Sequence, residues 1–318
     1  MFIRHKKLIL SGLATVWLGV AHTQAFMFVE DFSTDPVTGG RFSVPAGDAS
    51  RFVYSGGTLT AEYNTVLPTA KYLHALGQSF TQNDPFTMIF DLKINGAGFF
   101  ADPNEFAQIA VGAANLATTG NDRPGGVNGN AYNTVTADYF PNISPFFDSE
   151  TLSPTVITTS NNPSYFSHVN FTFGSETAIQ SEFPSRLPLD QVMRFLLNYN
   201  PVGKVLTLSV STNGTPLAIN TTGSVGGSFD SDPTTIQTFL DGSAAFNLDS
   251  VGLLLWNDTF AGCCGGSGTS VVANIEFSRV EFSSPIPEMQ SALGIILGGL
   301  GTFLIWRNRS LRHETQSS

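Results

Sequence analysis

Two consecutive hairpin signals between residues 192 and 219 restrict most strongly what this chain can fold into. Residues 192–199 run into a turn at 200–203, and in the next segment Leu206, Leu208 and Val210 alternate with polar residues. Alternation with a period of two places one side of a strand in a core. Asn213-Gly214 then supplies the dipeptide preferred by a type I′ turn, in which both central residues have positive φ. The stretch predicts a three-stranded antiparallel meander.

The rest of the chain between residues 26 and 283 has the same character. The clearest single strand is 86–94, in which apolar residues occupy every second position. A Gly-rich turn at 55–57 predicts a further hairpin. The other expected strands are 26–32, 51–54, 58–63, 107–111, 131–139, 165–173, 251–256 and 271–282.

Three further features refine this strand pattern. Residues 251–256 are apolar on both faces, which predicts a central strand. A change of apolar phase predicts a bulge near Ser278. Residues 112–163 are rich in Gly, Asn, Thr, Ser and Pro and are expected to form long loops with short strands. Because no stretch of this region has helical periodicity, the predicted fold class is an all-β sandwich.

The N-terminus has the pattern of a secretory signal peptide. Three basic residues among the first seven precede an apolar run at 8–20. Thr23 and Ala25 then match the small-residue requirement of signal peptidase. We expect Sec-type export and cleavage after Ala25, with cleavage after Ala21 as one alternative and an uncleaved membrane anchor as another.

The C-terminus predicts a membrane-spanning helix followed by a basic stop. Residues 291–306 are uncharged and apolar, and the two residues before them bring the run to the lower end of the roughly 17–25 residues that span a bilayer. Pro285 and Pro287 prevent the helix from continuing upstream. The arginines after Trp306 favour the cytoplasmic side. We therefore expect a transmembrane helix at 290–306, with a buried C-terminal core helix as the alternative.

This tail resembles the PEP-CTERM sorting signal of bacteria that make an exopolysaccharide envelope. Pro287-Glu288 matches the first two motif positions, and Met289 stands where the second proline is usual. The resemblance implies that residues 285–312 are a sorting signal, that the membrane enzyme exosortase processes it, and that the chain is at least transiently anchored in the inner membrane. The expected destination is the cell envelope or the extracellular matrix.

The segment between the two ends is strongly acidic. With the three basic residues at each end and Glu314 set aside, residues 26–288 hold nine basic and 24 acidic residues, a formal charge of −15 against −10 for the whole chain. This charge opposes binding to nucleic acid or to an anionic membrane surface. It is compatible with cation binding. The chain has only two cysteines, which excludes a disulfide-stapled scaffold.

The order of the expected strands resembles concanavalin A-like or laminin-G-like jelly rolls. The similar features are the opening Glu-Asp-Phe strand at 30–32, the strand at 86–94, the meander at 195–217, and the closing segments 251–258 and 273–282. The resemblance implies one jelly-roll β-sandwich at 26–284, between a signal peptide at 1–25 and the sorting signal. Modules of this kind often stand between a signal peptide and such a tail.

Catalytic carboxylates of the usual spacing are missing from the sequence. Glycosidases of this fold carry two carboxylates on one strand face, commonly as Glu-x-Asp-x-x-Glu or with one spacer fewer, and no such triplet occurs here. Glu276 and Glu281 are separated by the expected bulge. Glu30 and Asp31 are adjacent and therefore point to opposite faces of a strand. All four are expected to be solvated strand carboxylates.

A polysaccharide lyase would need a Tyr, His or Lys base and an Arg that neutralises the substrate. The segment between the two ends contains only His74 and His168, and His168 lies in an alternating strand. We expect both to be ordinary surface or core histidines. The sequence therefore predicts that the chain is not an enzyme.

The two cysteines are adjacent, at Cys263-Cys264, and glycines flank them. In an oxidising compartment they could form a vicinal disulfide, because the glycines supply the backbone freedom that its strained geometry requires. Pairing between chains and free thiols are the alternatives. A metal site is less expected, since no nearby His or further Cys completes a coordination set.

Calcium is the ion that best suits the acidic loops. Short oxygen-rich runs contain Asp102 and Glu105, Asp230 and Asp232, and Asn257-Asp258. Calcium takes six to eight oxygen ligands, including loop carbonyls. None of these runs has the fixed spacing of a known calcium motif, and each is also an ordinary turn sequence.

Sugar-binding proteins usually present aromatic side chains to their ligand. Trp256 lies in an apolar strand and is expected to pack in the core, whereas Tyr132, Tyr139 and Tyr165 are expected to be exposed. The leading interpretation is an exported, non-enzymatic protein with a structural or adhesive role in the envelope or exopolysaccharide. A calcium-assisted, lectin-like module that binds extracellular polysaccharide is the alternative, and an exported glycan hydrolase or lyase is the third.

Overall fold

The structure, a computed structural model, describes residues 25–44, 49–95, 108–120, 132–140, 151–159, 165–167, 187–219, 234–256 and 272–285. Residues Phe26–Pro285 form one compact unit. The expected sorting motif, the transmembrane helix and all but the last residue of the signal peptide lie outside the described residues. In the stretches that the structure describes, no helix has the length and apolar character needed to cross a membrane.

Fifteen strands and one short 3-10 turn, Ala49–Arg51, make up the described secondary structure. The strands are β1 (Phe26–Glu30), β2 (Phe52–Ser55), β3 (Thr58–Asn64), β4 (Ala70–Thr81), β5 (Phe86–Asn95), β6 (Gln108–Ala114), β7 (Thr134–Phe140), β8 (Thr151–Ile157), β9 (Tyr165–Ser167), β10 (Val192–Asn200), β11 (Val205–Thr212), β12 (Thr215–Pro216), β13 (Thr235–Phe239), β14 (Asn247–Trp256) and β15 (Val272–Ser284).

These strands form two antiparallel sheets. The nine-stranded sheet has the order β12-β11-β10-β5-β15-β3-β2, with β1 also paired to β15 and β13 to β11. The six-stranded sheet has the order β4-β14-β6-β7-β8-β9. No α-helix occurs among the described residues. The predicted all-β class and the two-sheet architecture are therefore confirmed.

Alternate residues of the two sheets point into one shared apolar core. In β5 and β10 every second side chain is buried, beginning with Phe86 and Met193. Phe86 stacks on Tyr199 with ring centroids 5.2 Å apart and on Phe282 at 5.4 Å. Large aromatic side chains bury roughly 150–250 Å² each, so they contribute much of the energy that holds the sheets together.

The buried hydroxyl of Tyr63 links the two sheets. Tyr63 belongs to β3 of the nine-stranded sheet and is 1% exposed. Its hydroxyl donates to the carbonyl of Trp256 at 3.2 Å and accepts from the backbone N–H of Gln108 at 3.0 Å. Both partners lie in the six-stranded sheet. The contact fixes the ends of β14 and β6 against the nine-stranded sheet.

The meander predicted from the hairpin signals is confirmed. β10, β11 and β12 pair consecutively, and Asn213 and Gly214 have φ values of 49° and 76°, as a type I′ turn requires. The bulge expected near Ser278 is also confirmed, since the pairing of β15 with β5 shifts register between Phe277 and Arg279. β14 lies between β4 and β6, in agreement with its predicted central position.

The loop prediction for residues 112–163 is wrong in part. β6 continues to Ala114, β7 lies close to its predicted position, and β8 is a further strand that includes Pro154. β4 and β13 likewise have no counterpart among the predicted strands. In β4 the residues Ala70–Leu73 are all buried, so the alternation that marks a half-exposed strand is absent.

Candidate functional site

The face of the six-stranded sheet that points away from the shared core is buried. All seven residues of β6 and all seven of β7 are buried, although alternate residues point to opposite faces. Across this outer face Leu254, Ala110, Asp138 and Ser153 pair in one row from β14 to β8. Residues opposite each other in an antiparallel pair share a face. Polar and charged side chains are therefore held here away from water.

Asp138 is the most unusual residue of this face. It is 0% exposed, and within the described part of the chain neither of its carboxylate oxygens accepts a hydrogen bond. Burial raises the pKa of Asp138 to about 6, while the side chains of Thr136, Thr155 and Gln108 lie near enough to lower it. A buried carboxylate without a partner is strongly disfavoured in its ionised form, so it requires a proton or a cation.

Further unpartnered oxygen atoms lie on the same face of the sheet as this carboxylate. Oε1 of Gln108 and Oγ1 of Thr134 and Thr136 are buried and have no hydrogen-bond partner among the described residues. Thr134, Thr136 and Asp138 point to the same side of β7 because they are two residues apart. Gly112 of β6 lies opposite Thr136, so no side chain from β6 stands beside Thr136 on this face. We call the group formed by Gln108, Thr134, Thr136 and Asp138 the Asp138 cluster.

The donor set of the Asp138 cluster suits a hard cation. The unpartnered atoms of Asp138, Gln108 and Thr136 are four oxygens, and calcium takes six to eight oxygen ligands from carboxylates, amides, hydroxyl groups and water. Asp138 is the only charged member of the cluster. Across the described ranges no group of three or more His, Cys, Asp or Glu residues converges. The cluster therefore fits calcium by the type of its atoms, with a single carboxylate and hence modest affinity.

Lys71 is the second charged residue of the same face. It is 3% exposed and pairs with Leu254, which places it in the row that contains Asp138. Its ammonium donates to the carbonyl of Thr119 at 2.5 Å and stands 6.0 Å from the ring of Trp256. Burial lowers the pKa of Lys71 to about 8. Among the described residues the ammonium contacts a carbonyl and an aromatic ring, and no carboxylate pairs with it.

Most residues selected from the sequence lie outside the described residues. These are Asp102, Glu105, Asp230, Asp232, Asn257, Asp258, Cys263, Cys264, His168, Pro287, Glu288 and Met289. The calcium, disulfide and sorting predictions at these positions stay predictions. Ala25 is described, exposed, and immediately precedes β1, and cleavage after it also stays a prediction.

The strand carboxylates differ from expectation at one position. Glu30 was expected to be solvated, but it is 3% exposed and accepts from Nε of Arg41 at 2.6 Å. Buried carboxylates need such a partner. Glu276 accepts from Lys93 at 3.1 Å and Glu281 from Arg279 at 2.7 Å, and both pairs are partly exposed. These carboxylates are therefore occupied by structural ion pairs.

His74 has a packing role. Its ring stacks on Phe28 with centroids 3.8 Å apart, and Nδ1 contacts the carbonyl oxygen of Arg41. Burial lowers the pKa of His74, which favours the neutral ring. The prediction of an ordinary histidine is confirmed at this position.

The aromatic residues proposed as sugar platforms are mostly not available for that role. Tyr139 is 2% exposed and points into the shared core, so its predicted exposure is wrong. Its strand β7 is buried on both faces. Tyr132 is half-buried, and the side chain of Tyr165 lies outside the described residues. Trp256 is buried, as predicted, although it packs on the outer face beside Leu73.

The Asp138 cluster was not found from the sequence. Residues 134–139 alternate polar and apolar, a pattern typical of a strand with a water-facing polar side. The pattern identifies which residues share a face. It does not report whether another part of the chain covers that face, so a buried carboxylate looks the same as an exposed one.

Comparison with known proteins gives similarities of fold only. No protein-family model and no curated protein matches the chain. Among solved structures, the basic winged bean lectin with Tn-antigen has a TM-score of 0.48 at 12% identity, covering 83% of this chain and 100% of that one. The Emp47p carbohydrate recognition domain has a TM-score of 0.47 at 10% identity, covering 82% and 96%. A legume lectin-like domain from Entamoeba histolytica has a TM-score of 0.45 at 9% identity, and the match covers 80% of this chain and 95% of that one. These values assign neither a family nor a ligand.

Proposed function

We propose that the chain is an exported, envelope-associated adhesive protein whose concanavalin A-like jelly-roll body binds extracellular glycan with the help of calcium at the Asp138 cluster. One observation carries the proposal. Asp138 is fully buried, and neither of its oxygens has a hydrogen-bond partner among the described residues. Native proteins satisfy nearly all buried polar groups, so a buried carboxylate without a partner among the described residues is a candidate cation ligand.

Calcium is the ligand that matches the surrounding atoms. Asp138, Gln108 and Thr136 would hold it through carboxylate, amide and hydroxyl oxygens, which are hard ligands. When bound, the ion supplies the positive charge that the buried carboxylate lacks and a coordination centre for further oxygens. Lys71 does not take this role, because it lies three strands from Asp138 in the cross-strand row. The acidic character of residues 26–288 also favours accumulation of divalent cations near the chain.

Glycan is the partner that agrees with the chemistry and the expected location. Sugars are neutral and present many hydroxyl groups, so the acidic body does not repel them. A formal charge of −15 on residues 26–288 opposes nucleic acid and anionic membrane surfaces. The tail resembles a sorting signal of bacteria that surround themselves with exopolysaccharide, which would be the nearest abundant ligand.

The two ends form the second part of the proposal. Signal peptidase would release the chain after Ala25, and the helix at 290–306 would anchor it in the inner membrane until exosortase acts at the Pro287-Glu288 motif. Cell fractionation with mass determination of the mature protein tests this processing. Retention of residues 1–25 in the exported protein, or location of the intact chain in the cytoplasm, would contradict it.

The decisive binding experiment uses the full chain in detergent on an array of soluble glycans, with excess calcium or with excess EDTA. We expect glycan binding that calcium strengthens and that Asp138→Asn removes. Asp190→Asn is the matched control, because Asp190 is exposed and undergoes the same chemical change. Absence of binding under both conditions would exclude the glycan-binding function and leave a purely structural role. Equal binding by the two variants would place the calcium effect elsewhere.

A further inference from the structure

The outer face of the nine-stranded sheet carries a second feature that the Asp138 cluster does not use. Arg279, Asp91, Arg194 and Ser211 lie side by side across β15, β5, β10 and β11. The pairs Lys93–Glu276 and Arg279–Glu281 occupy the same face. Three basic and three acidic side chains therefore balance one another on the surface of an otherwise acidic body.

A groove of about 260 Å³ opens at one end of this row. Its lining residues are Asp91, Val192, Arg194, Ser211, Asn213 and Gly214. The type I′ turn at Asn213-Gly214 forms one side, and Val192, which is 54% exposed, contributes the apolar part. Pockets for drug-sized ligands measure roughly 300–1,000 Å³, so this groove suits a single small ring.

The guanidinium of Arg194 is fixed in position by Asp91. Its Nε and Nη2 donate to the two oxygens of Asp91, each at 2.6 Å, which fixes the guanidinium plane. Nη1 makes no hydrogen bond within the described part of the chain, and the side chain is 52% exposed. A guanidinium that is already immobilised loses little rotational freedom when a further acceptor binds. The free Nη1 can therefore donate to a ligand oxygen in the groove.

The charge of the groove selects the class of ligand. Asp91 neutralises Arg194, so the groove offers donors and acceptors without a net positive charge. A carboxylate or phosphate would gain little Coulomb energy here and would be repelled by the acidic body. A neutral sugar suits the groove better, because its hydroxyls both donate and accept and its C–H face can pack on Val192.

We propose that this groove is a second sugar-binding site, which takes one pyranose ring of a neutral glycan without calcium. The inference rests on the proposed glycan-binding function but uses different residues on the opposite sheet. Because the two sites use different residues on different sheets, one chain could bridge two glycan strands. Simultaneous engagement of two weak sites raises the overall avidity without new contacts.

The test measures the glycan binding of the full chain that persists in excess EDTA, on an array of neutral hexose oligosaccharides. Arg194→Ala removes the free donor, and Ser211→Phe fills the groove while keeping all charges. Each is expected to lower the EDTA-resistant affinity about tenfold or more, the size of a lost hydrogen bond to a charged group. Lys93→Ala is the matched control, since it removes a cation and an ion pair from the same face outside the groove. The EDTA-resistant affinity of Lys93→Ala is expected to stay within about twofold of that of the unmodified chain.

The outcomes separate this inference from the proposed function. Calcium-dependent binding lost in Asp138→Asn, with no EDTA-resistant binding by the unmodified chain, would overturn the second site and leave the first. EDTA-resistant binding that survives in Asp138→Asn and falls in both groove variants supports the second site. EDTA-resistant binding that is unchanged in both groove variants, or that falls equally in Lys93→Ala, would overturn it.

Discussion

Asp138 and Lys71 lie in one cross-strand row of the six-stranded sheet, three strands apart, and do not form an ion pair. Leu254 and Ala110 occupy the two positions between them. Adjacent strands are about 4.8 Å apart, so about 14 Å separates the two backbone positions. Lys71 is satisfied by Thr119, whereas Asp138 is not satisfied within the described residues. Among the described residues, both charged groups are therefore buried without an opposite charge beside them.

Asp138 should make the stability of the chain depend on pH in an unusual direction. Its pKa is raised to about 6 in the folded chain from 3.8, so between these values the folded state binds more protons than the unfolded state. Stability from this group is fully present below about pH 4 and is lost as pH rises through about 6. The difference of about two pKa units corresponds to roughly 3 kcal/mol.

Asp138→Asn is therefore expected to stabilise the calcium-free chain above pH 6 by up to roughly 3 kcal/mol, because the amide carries no charge. Denaturant unfolding in EDTA at pH 4 and pH 7 measures the effect, with Asp190→Asn as the control for an exposed carboxylate. A stability difference between Asp138→Asn and the unmodified chain that is the same at both pH values would contradict a buried, titrating Asp138.

Calcium should reverse this dependence of stability on pH. A cation at the Asp138 cluster favours the ionised carboxylate, so calcium is expected to raise the melting temperature at pH 7 more than at pH 5. A ligand at 100 times its Kd stabilises by about 2.7 kcal/mol, which is roughly 5–10 °C for a domain of this size. Thermal unfolding of the unmodified chain and of Asp138→Asn, with calcium and with EDTA, measures the shift. An equal calcium shift in both proteins would show that the ion binds elsewhere.

Long strands with regular alternation, such as β5 and β10, could be predicted from the sequence, whereas β4 and β8 could not. In β5 and β10 one face meets the core and the other meets water, so the pattern reports the structure directly. Ala70–Leu73 of β4 are buried on both faces, and β8 contains a proline. A proline in a strand and a run without alternation resemble a loop when tertiary context is missing.

The candidate site could not be predicted for a different reason. Asp138 follows Thr134 and Thr136 in perfect alternation with apolar residues, which is the sequence of an exposed polar face. Its raised pKa follows from the burial of that face, which the alternation of residues does not report. The Arg194–Asp91 pair joins residues 103 positions apart, and only the register of β10 against β5 brings them together.

Gly112 is expected to be intolerant of a side chain. A Cβ at this position would lie against the carbonyl oxygen of Val135 and 2.7 Å from Cα of Thr136, inside the sheet next to the Asp138 cluster. Backbone atoms cannot move aside as a flexible side chain would, so Gly112→Ala should destabilise the chain by roughly 2 kcal/mol or more. Gly242→Ala is the control, because its nearest neighbouring atom would be 4.0 Å away. Similar unfolding midpoints for the two variants would contradict the close approach of β6 to β7.

Tyr63→Phe tests the hydrogen bonds that join the two sheets. The change keeps the buried ring but removes the hydroxyl that bonds to Trp256 and Gln108. Because both backbone groups are buried, the loss should cost roughly 1–3 kcal/mol in the free energy of unfolding. Tyr54→Phe removes a hydroxyl that donates to the carbonyl of Phe32 at 2.9 Å in a half-buried setting, where water can replace it. Denaturant unfolding should therefore rank Tyr54→Phe as the milder change, and the opposite ranking would exclude a bridging role for Tyr63.

The pairs Arg194–Asp91 and Arg41–Glu30 should differ sharply in their contribution to stability. Arg194 pairs with Asp91 in a setting where the arginine is 52% and the aspartate 14% exposed, whereas Arg41 pairs with Glu30, which is only 3% exposed. Solvent screens the first pair, so Arg194→Ala should lower the free energy of unfolding by no more than about 1 kcal/mol. Arg41→Ala leaves a buried carboxylate without its cation and should cost roughly 2–4 kcal/mol. Urea unfolding of both variants, in low and high salt, measures the contrast. If Arg194→Ala lowers the free energy of unfolding by more than about 2 kcal/mol, the Arg194–Asp91 pair supports the fold. A weaker sugar affinity of that variant would then result from its instability and not from the missing hydrogen-bond donor.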